Sequence, residues 1–188
     1  MDKLDYFENG HEYYVNGIEV PSVTTMLKVK FGGKYDGIPE ATLRRAAEKG
    51  TDLHKRIENL INGGEAETRE EKSFLTLMRL YHLEPIKSEV PVILYQDGEP
   101  FAAGRLDMIL RDGDRIGIGD LKRTSTLDKE YLTYQLNLYK RAYEQTFGER
   151  IDFLVGIHIR EEKRKLVQIT INDNYADEII TEWKEKNI

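Results

Sequence analysis

Apolar and polar positions along the chain change period several times, and the changes mark its elements. Residues 101–122, FAAGRLDMILRDGDRIGIGDLK, form two mostly apolar arms around Asp112-Gly113-Asp114, which predicts two strands joined by a turn. With alternating side chains, Ala103, Arg105, Asp107 and Ile109 share one face of the first arm. Ile116, Ile118, Asp120 and Lys122 share one face of the second. Residues 5–20 alternate aromatics and polars around Asn9-Gly10 and Asn16-Gly17, a meander of short strands with tight turns. Ser22 is placed to cap a short helix reaching about Val29, and residues 31–37 form a loop. Helical periodicity runs over residues 39–61, started by Pro39 and stopped by Gly63-Gly64, and again over residues 68–82. Residues 86–95 make a strand whose Pro91 points to an edge or an interruption. Thr124-Ser125-Thr126 can cap a helix over residues 128–147, two strands follow over 151–159 and 165–171, and an amphipathic helix spans 174–183. This order predicts an α/β fold with a mixed central sheet of about five strands flanked by helices, not an alternating doubly wound sheet.

A length of 188 residues fits one domain. Within it the expected regions are the meander (about 5–20), a helical region (about 22–82), a core (about 86–171) and the C-terminal helix. No apolar run approaches membrane-spanning length and no signal-peptide core is visible, so a cytoplasmic setting is expected. The absence of cysteine excludes disulfides, zinc ribbons and a cysteine-ligated iron-sulfur cluster, leaving oxygen and histidine as metal ligands. A net charge of -6 argues against a protein coated in positive potential. Basic pairs such as Arg44-Arg45 and Lys122-Arg123 remain, and a metal site is itself acidic until loaded.

The hairpin carries one carboxylate in each apolar arm. If the arms pair, Asp107 approaches Asp120 with the Lys122 ammonium beside them, a set suited to a divalent cation and a water to be activated. The alternative is solvated acids paired to Arg105 or Arg123. Glu89, in the preceding strand, is a third acid able to reach the same region. His54 lies one turn after Gly50 on the first long helix, where a lone histidine is more often a surface or core residue. Gly50 costs about 1 kcal/mol relative to alanine in a helix interior, so a close approach of another backbone or of a nucleic-acid strand is expected there. Tyr131, Gln135 and Tyr139 recur at helical spacing, which on its own indicates packing.

Taken in order, G-T-x-x-H (Gly50, Thr51, His54), G-x-x-D (Gly104, Asp107), D-x-K (Asp120, Lys122) and Q-x-x-x-Y (Gln135, Tyr139) resemble the PD-(D/E)XK nuclease superfamily in its RecB-type branch. The opening His11, Tyr13 and Pro21 to Thr24 are similar to small, phage-type exonucleases of that branch. The resemblance implies a restriction-endonuclease-like core. It implies one or two Mg²⁺ or Mn²⁺ ions on Asp107, Asp120 and the backbone carbonyl of Leu121, with His54 adding a nitrogen ligand. Lys122 would orient or deprotonate the attacking water, Gln135 and Tyr139 would help shape the site and hold DNA, and Glu89 would support. The implied activity is a DNA exonuclease in phage or prophage recombination and repair, with DNA and a single-strand annealing protein as partners, no membrane, and a homo-oligomer in some relatives. An endonuclease on the same site, a nucleic-acid-binding module without catalysis and a protein-interaction subunit are the competing readings. Asp120 stands where many members of the superfamily have glutamate.

Overall fold

The computed structural model describes residues 2–8, 12–34 and 36–187. The Asn9-Gly10 turn and His11 lie outside the described residues. Three short strands, β1 (Leu4–Phe7), β2 (Glu12–Val15) and β3 (Ile18–Val20), form an antiparallel sheet. Asn16 and Gly17 turn β2 into β3 with φ of 52° and 83°, the left-handed region that Asn-Gly pairs tolerate.

Ser22 caps α1 (Val23–Met26) by accepting the N–H of Thr25, and α2 (Lys28–Phe31) follows at once. The chain therefore stays helical to Phe31 instead of looping there, because Phe31 packs edge-on against Tyr131 and Tyr134. Helix α3 (Glu40–Ile61) and helix α4 (Arg69–Leu80) come next. Thr68 and Glu71 close a reciprocal capping box at the start of α4.

Strands β4 (Glu84–Gln96), β5 (Glu99–Asp112), β6 (Arg115–Lys122), β7 (Phe153–Arg160) and β8 (Lys163–Ile169) form the expected five-stranded sheet in that spatial order. All neighbours are antiparallel except β6 and β7, which α5 (Lys129–Phe147) joins as a crossover. Pro91 lies in β4, an edge strand, where a missing N–H is tolerated. Asp128, not the Thr124 to Thr126 run, caps α5 by accepting the N–H of Tyr131. Thr124 instead bonds the carbonyl of Thr126.

Helices cover both faces of the sheet. On one, Leu132, Leu136 and Tyr143 of α5 and Ile179 and Ile180 of α6 (Asn174–Asn187) pack on Val92, Leu106, Ile109, Ile118 and Leu154. On the other, Leu53 and Ile57 of α3 and Phe74, Leu77 and Met78 of α4 pack on Met108, Leu110, Leu121 and Ile157. The small sheet rests on the large one through Tyr13, Val15, Val20, Ile93 and Ala103. Among the described residues no helix is long and apolar enough to cross a membrane.

Candidate active site

The alternation of β5 breaks at its acid. Leu106 and Ile109, three residues apart, both enter the α5-side core, whereas Met108 and Leu110 enter the α3-side core. Ile109 therefore does not share a face with Ala103 and Arg105, as strict alternation predicts. The break coincides with the end of the β5–β6 ladder. Pairing runs from Asp112–Arg115 to Met108–Gly119, and one further step sets Asp107 opposite Asp120. Instead of continuing the ladder, the Asp107 carboxylate (Oδ2) accepts the N–H of Leu121 at 2.7 Å. On its other side the flanking pairs Ser88–Met108 and Val90–Leu106 set Glu89 opposite Asp107. Glu89 has φ of 50°, a left-handed conformation in mid-strand that costs about 1–3 kcal/mol and is found where the surroundings demand it. Glu89, Asp107 and Asp120 thus form a row across three strands.

Helix α3 supplies the nitrogen. Leu53 and Ile57 are fully buried and fix the helix on the sheet, leaving His54 between them turned to the strand ends. Its Nε2 lies 2.9 Å from the carbonyl oxygen of Leu121. A carbonyl only accepts, so Nε2 carries the proton and, in the neutral ring, the Nδ1 lone pair faces the acids. Nδ1 is 3.6 Å from Oδ1 of Asp107. Ligand atoms of His54, Glu89 and Asp107 all lie within 4.8 Å of one another, a spacing that a single cation could bridge. The sequence gives Glu89 a supporting part, but the structure brings it into the cluster.

Asp120 lies beside that trio, 3% exposed. Its Oδ2 is 2.6 Å from Nζ of Lys122, a close buried ion pair. Burial, with the nearby Asp107 charge, pushes the Asp120 carboxyl up to about 6 against the opposing pull of Lys122. Burial and Asp107 likewise raise Glu89. The Asp107 carboxylate raises His54 more than burial lowers it. Burial pulls the Lys122 ammonium down, but Asp120 and Asp107 outweigh it and leave the group above its ordinary value. For Lys122 to act as a base, positive charge must first satisfy those carboxylates.

Helix α5 closes the site from the opposite face. A Cβ on Gly104 would meet Tyr139 Cε1 at 2.8 Å, so the glycine of G-x-x-D makes room for the tyrosine of Q-x-x-x-Y. Burial holds the Tyr139 hydroxyl well above its ordinary value, so it keeps its proton. Gln135, one turn earlier and 5% exposed, has a buried Oε1 with no partner among the described residues, the kind of group an ion or ordered water satisfies. Gly50 and the exposed Thr51 lie one turn before His54. Beyond its own helix turn, no atom of a described residue stands within 4 Å of the place a Gly50 Cβ would take, so the expected close approach is not made by a described residue.

Hard carboxylate oxygens and one imidazole nitrogen make a donor set that could hold a divalent cation. A groove of about 590 Å³ lined by Leu75, Met78, Arg79, His82, Leu83 and Glu84 includes none of these residues. Sequence reasoning names Arg105 only as a counter-ion for solvated acids; it stands 3.7 Å from Glu89 at the edge of the cluster. Its signal was parity, since Arg105 and Asp107 are two apart on one strand.

No family model and no curated protein matches the chain. Among solved structures, the crystal structure of SSO0001 is similar, with a TM-score of 0.53 and 14% identity over 90% of this chain and 77% of that one. An alkaline exonuclease (LHK-Exo) from Laribacter hongkongensis gives a TM-score of 0.41 and 12% identity over 85% and 83% of the two chains. The first likeness is one of fold alone, and the second is too loose to add to it.

Proposed function

We propose that this chain is a divalent-metal-dependent DNA exonuclease, hydrolysing phosphodiester bonds from linear ends. The observation that carries the reading is the convergence of His54, Glu89 and Asp107 within 4.8 Å, beside an Asp120–Lys122 pair at 2.6 Å. Bound there, a divalent cation supplies charge neutralisation at the phosphate and activation of a water. Asp107, Glu89 and His54 Nδ1 are the groups that would hold it, with Asp120 beside them; the Leu121 carbonyl, which the resemblance also offers as a ligand, instead accepts the N–H of His54 Nε2 on the far side of the ring. Lys122, anchored by Asp120, presents its Nζ to the attacking water and to the charge developing on the scissile phosphate. The buried Tyr139 hydroxyl lies within electrostatic reach of Asp107 and Asp120, and Gln135 is buried one turn before it on α5. The exonuclease mode, a place in phage or prophage recombination and repair, a single-strand annealing partner and a cytoplasmic setting follow from the motif resemblance.

End-labelled linear duplex DNA incubated with Mg²⁺, Mn²⁺ or EDTA, alongside closed circular DNA, tests the reading. Cation-dependent loss of the linear substrate alone, abolished in Asp120→Ala, is the expected result. Cutting of the circle would replace it with an endonuclease on the same site. Absence of cleavage with either cation, or cleavage undiminished in Asp120→Ala, would refute the nuclease reading.

A further inference from the structure

Arg105 stands at the seam between the two sheets. It precedes Asp107 by two residues on β5 and pairs with Pro91 in the sheet register, diagonal to Glu89. Its guanidinium carbon lies 4.6 Å from the centroid of the Tyr6 ring, supplied by β1. Tyr6 in turn packs on the buried Tyr13 of β2, with ring centroids 4.8 Å apart. The small sheet thus gives Arg105 an aromatic floor.

Its partners use little of its capacity. The contact to Glu89 is 3.7 Å, an ion pair too long for a hydrogen bond, and Arg105 makes no hydrogen bond to a described residue. The side chain is 37% exposed. Lying over Tyr6 limits where the guanidinium can go, and its exposure leaves N–H donors for a planar or tetrahedral oxyanion. The neighbouring row of three acids would repel an anion unless cations faced it, and Arg105 supplies one at the Glu89 end of the row, as Lys122 does at the Asp120 end.

We infer that Arg105, braced by Tyr6, is a phosphate-binding residue for the nucleic-acid strand. It would hold a phosphodiester beside the one that the acid row serves. The inference rests on the nuclease reading and adds a substrate contact to it. Because Glu89 lies between His54 and Arg105, drawing Glu89 toward a cation would loosen its pull on Arg105 as the strand arrives.

The test is fluorescence anisotropy of a labelled duplex with the whole protein in Ca²⁺, over a range of salt, comparing wild type with Arg105→Gln, Arg105→Lys and Tyr6→Leu. Arg105→Gln is expected to weaken binding about tenfold and to lower the salt slope by about one, the signature of one lost phosphate contact. Arg105→Lys should restore the slope but not the full affinity, and Tyr6→Leu should weaken binding without changing the slope. Mn²⁺ affinity measured without DNA should fall in none of the three and should rise in Arg105→Gln, where Glu89 loses its counter-ion. Binding by Arg105→Gln within about twofold of wild type, with an unchanged slope, would overturn the inference while leaving the nuclease reading intact. No DNA affinity in the wild type would overturn both.

Discussion

His54 and Asp107 face each other at 3.6 Å, and both are tied to the same residue, Leu121, one through its carbonyl and the other through its N–H. Leu121 is buried in the α3-side core, so helix α3 and strand β5 are indexed to β6 by a residue that cannot move independently. The imidazole is held in the tautomer that directs Nδ1 at the acids before any cation arrives.

Replacement of His54 should therefore act on cation choice more than on folding. His54→Ala is expected to reduce the Mn²⁺-dependent rise in melting temperature by several degrees, with a smaller change for Mg²⁺, whose preference is for oxygen. Differential scanning fluorimetry with each cation measures it. No loss for either cation would remove His54 from the ligand set, and equal losses would remove its role in choosing between them.

The two motif glycines should respond oppositely. Gly104→Ala drives a methyl into Tyr139 and is expected to destabilise by about 1–3 kcal/mol in urea unfolding. Gly50→Ala meets nothing and is expected to stabilise by about 0.5–1 kcal/mol, through helix propensity alone. If a nucleic-acid strand passes over Gly50, the same variant should lose DNA affinity while gaining stability.

Glu70 joins four elements. Its carboxylate accepts from Arg123 at 2.8 Å, the N–H of Glu161 at 3.0 Å and Arg56 at 3.1 Å. Burial pushes its carboxyl up, but the Glu161 N–H and the two arginines prevail and hold it below the ordinary value of 4.5. The unfolded chain then binds the proton more readily, so this contribution is present above pH 4.5 and is lost as pH falls below it. Glu70→Gln should cost about 2–3 kcal/mol at pH 7, since it leaves two arginines short of a partner, and its stability should fall less steeply below pH 4.5. Urea midpoints from pH 7 to pH 3 provide the comparison.

Much of this was legible from period and punctuation. Turn residues and alternating arms located the central hairpin, and the crossover helix α5 followed from its 3.6 repeat. Local signals failed where long-range contacts decided the outcome. Asp128 displaced Thr124 as the cap of α5, and Phe31 stayed helical because Tyr131 and Tyr134, a hundred residues later, receive it. The break in alternation at Asp107 is also invisible in sequence, because it arises from a side chain taking the Leu121 N–H that a strand partner would otherwise receive. Glu89 was undervalued for a related reason. Its place in the cluster depends on the β4–β5 register and on a left-handed backbone that nothing in a glutamate announces. Gly104 was named from resemblance alone and Tyr139 was otherwise read as packing, and their contact supplies the physical reason for the pairing.

The central claim is that the row of acids with His54 holds a divalent cation. Calorimetric titration of Mn²⁺ into metal-free wild type and Asp107→Asn addresses it directly, with circular dichroism confirming that the variant is folded. Saturable binding in the wild type, weakened at least about tenfold in Asp107→Asn, is the predicted result. No binding, or equal binding by the two proteins, would contradict it.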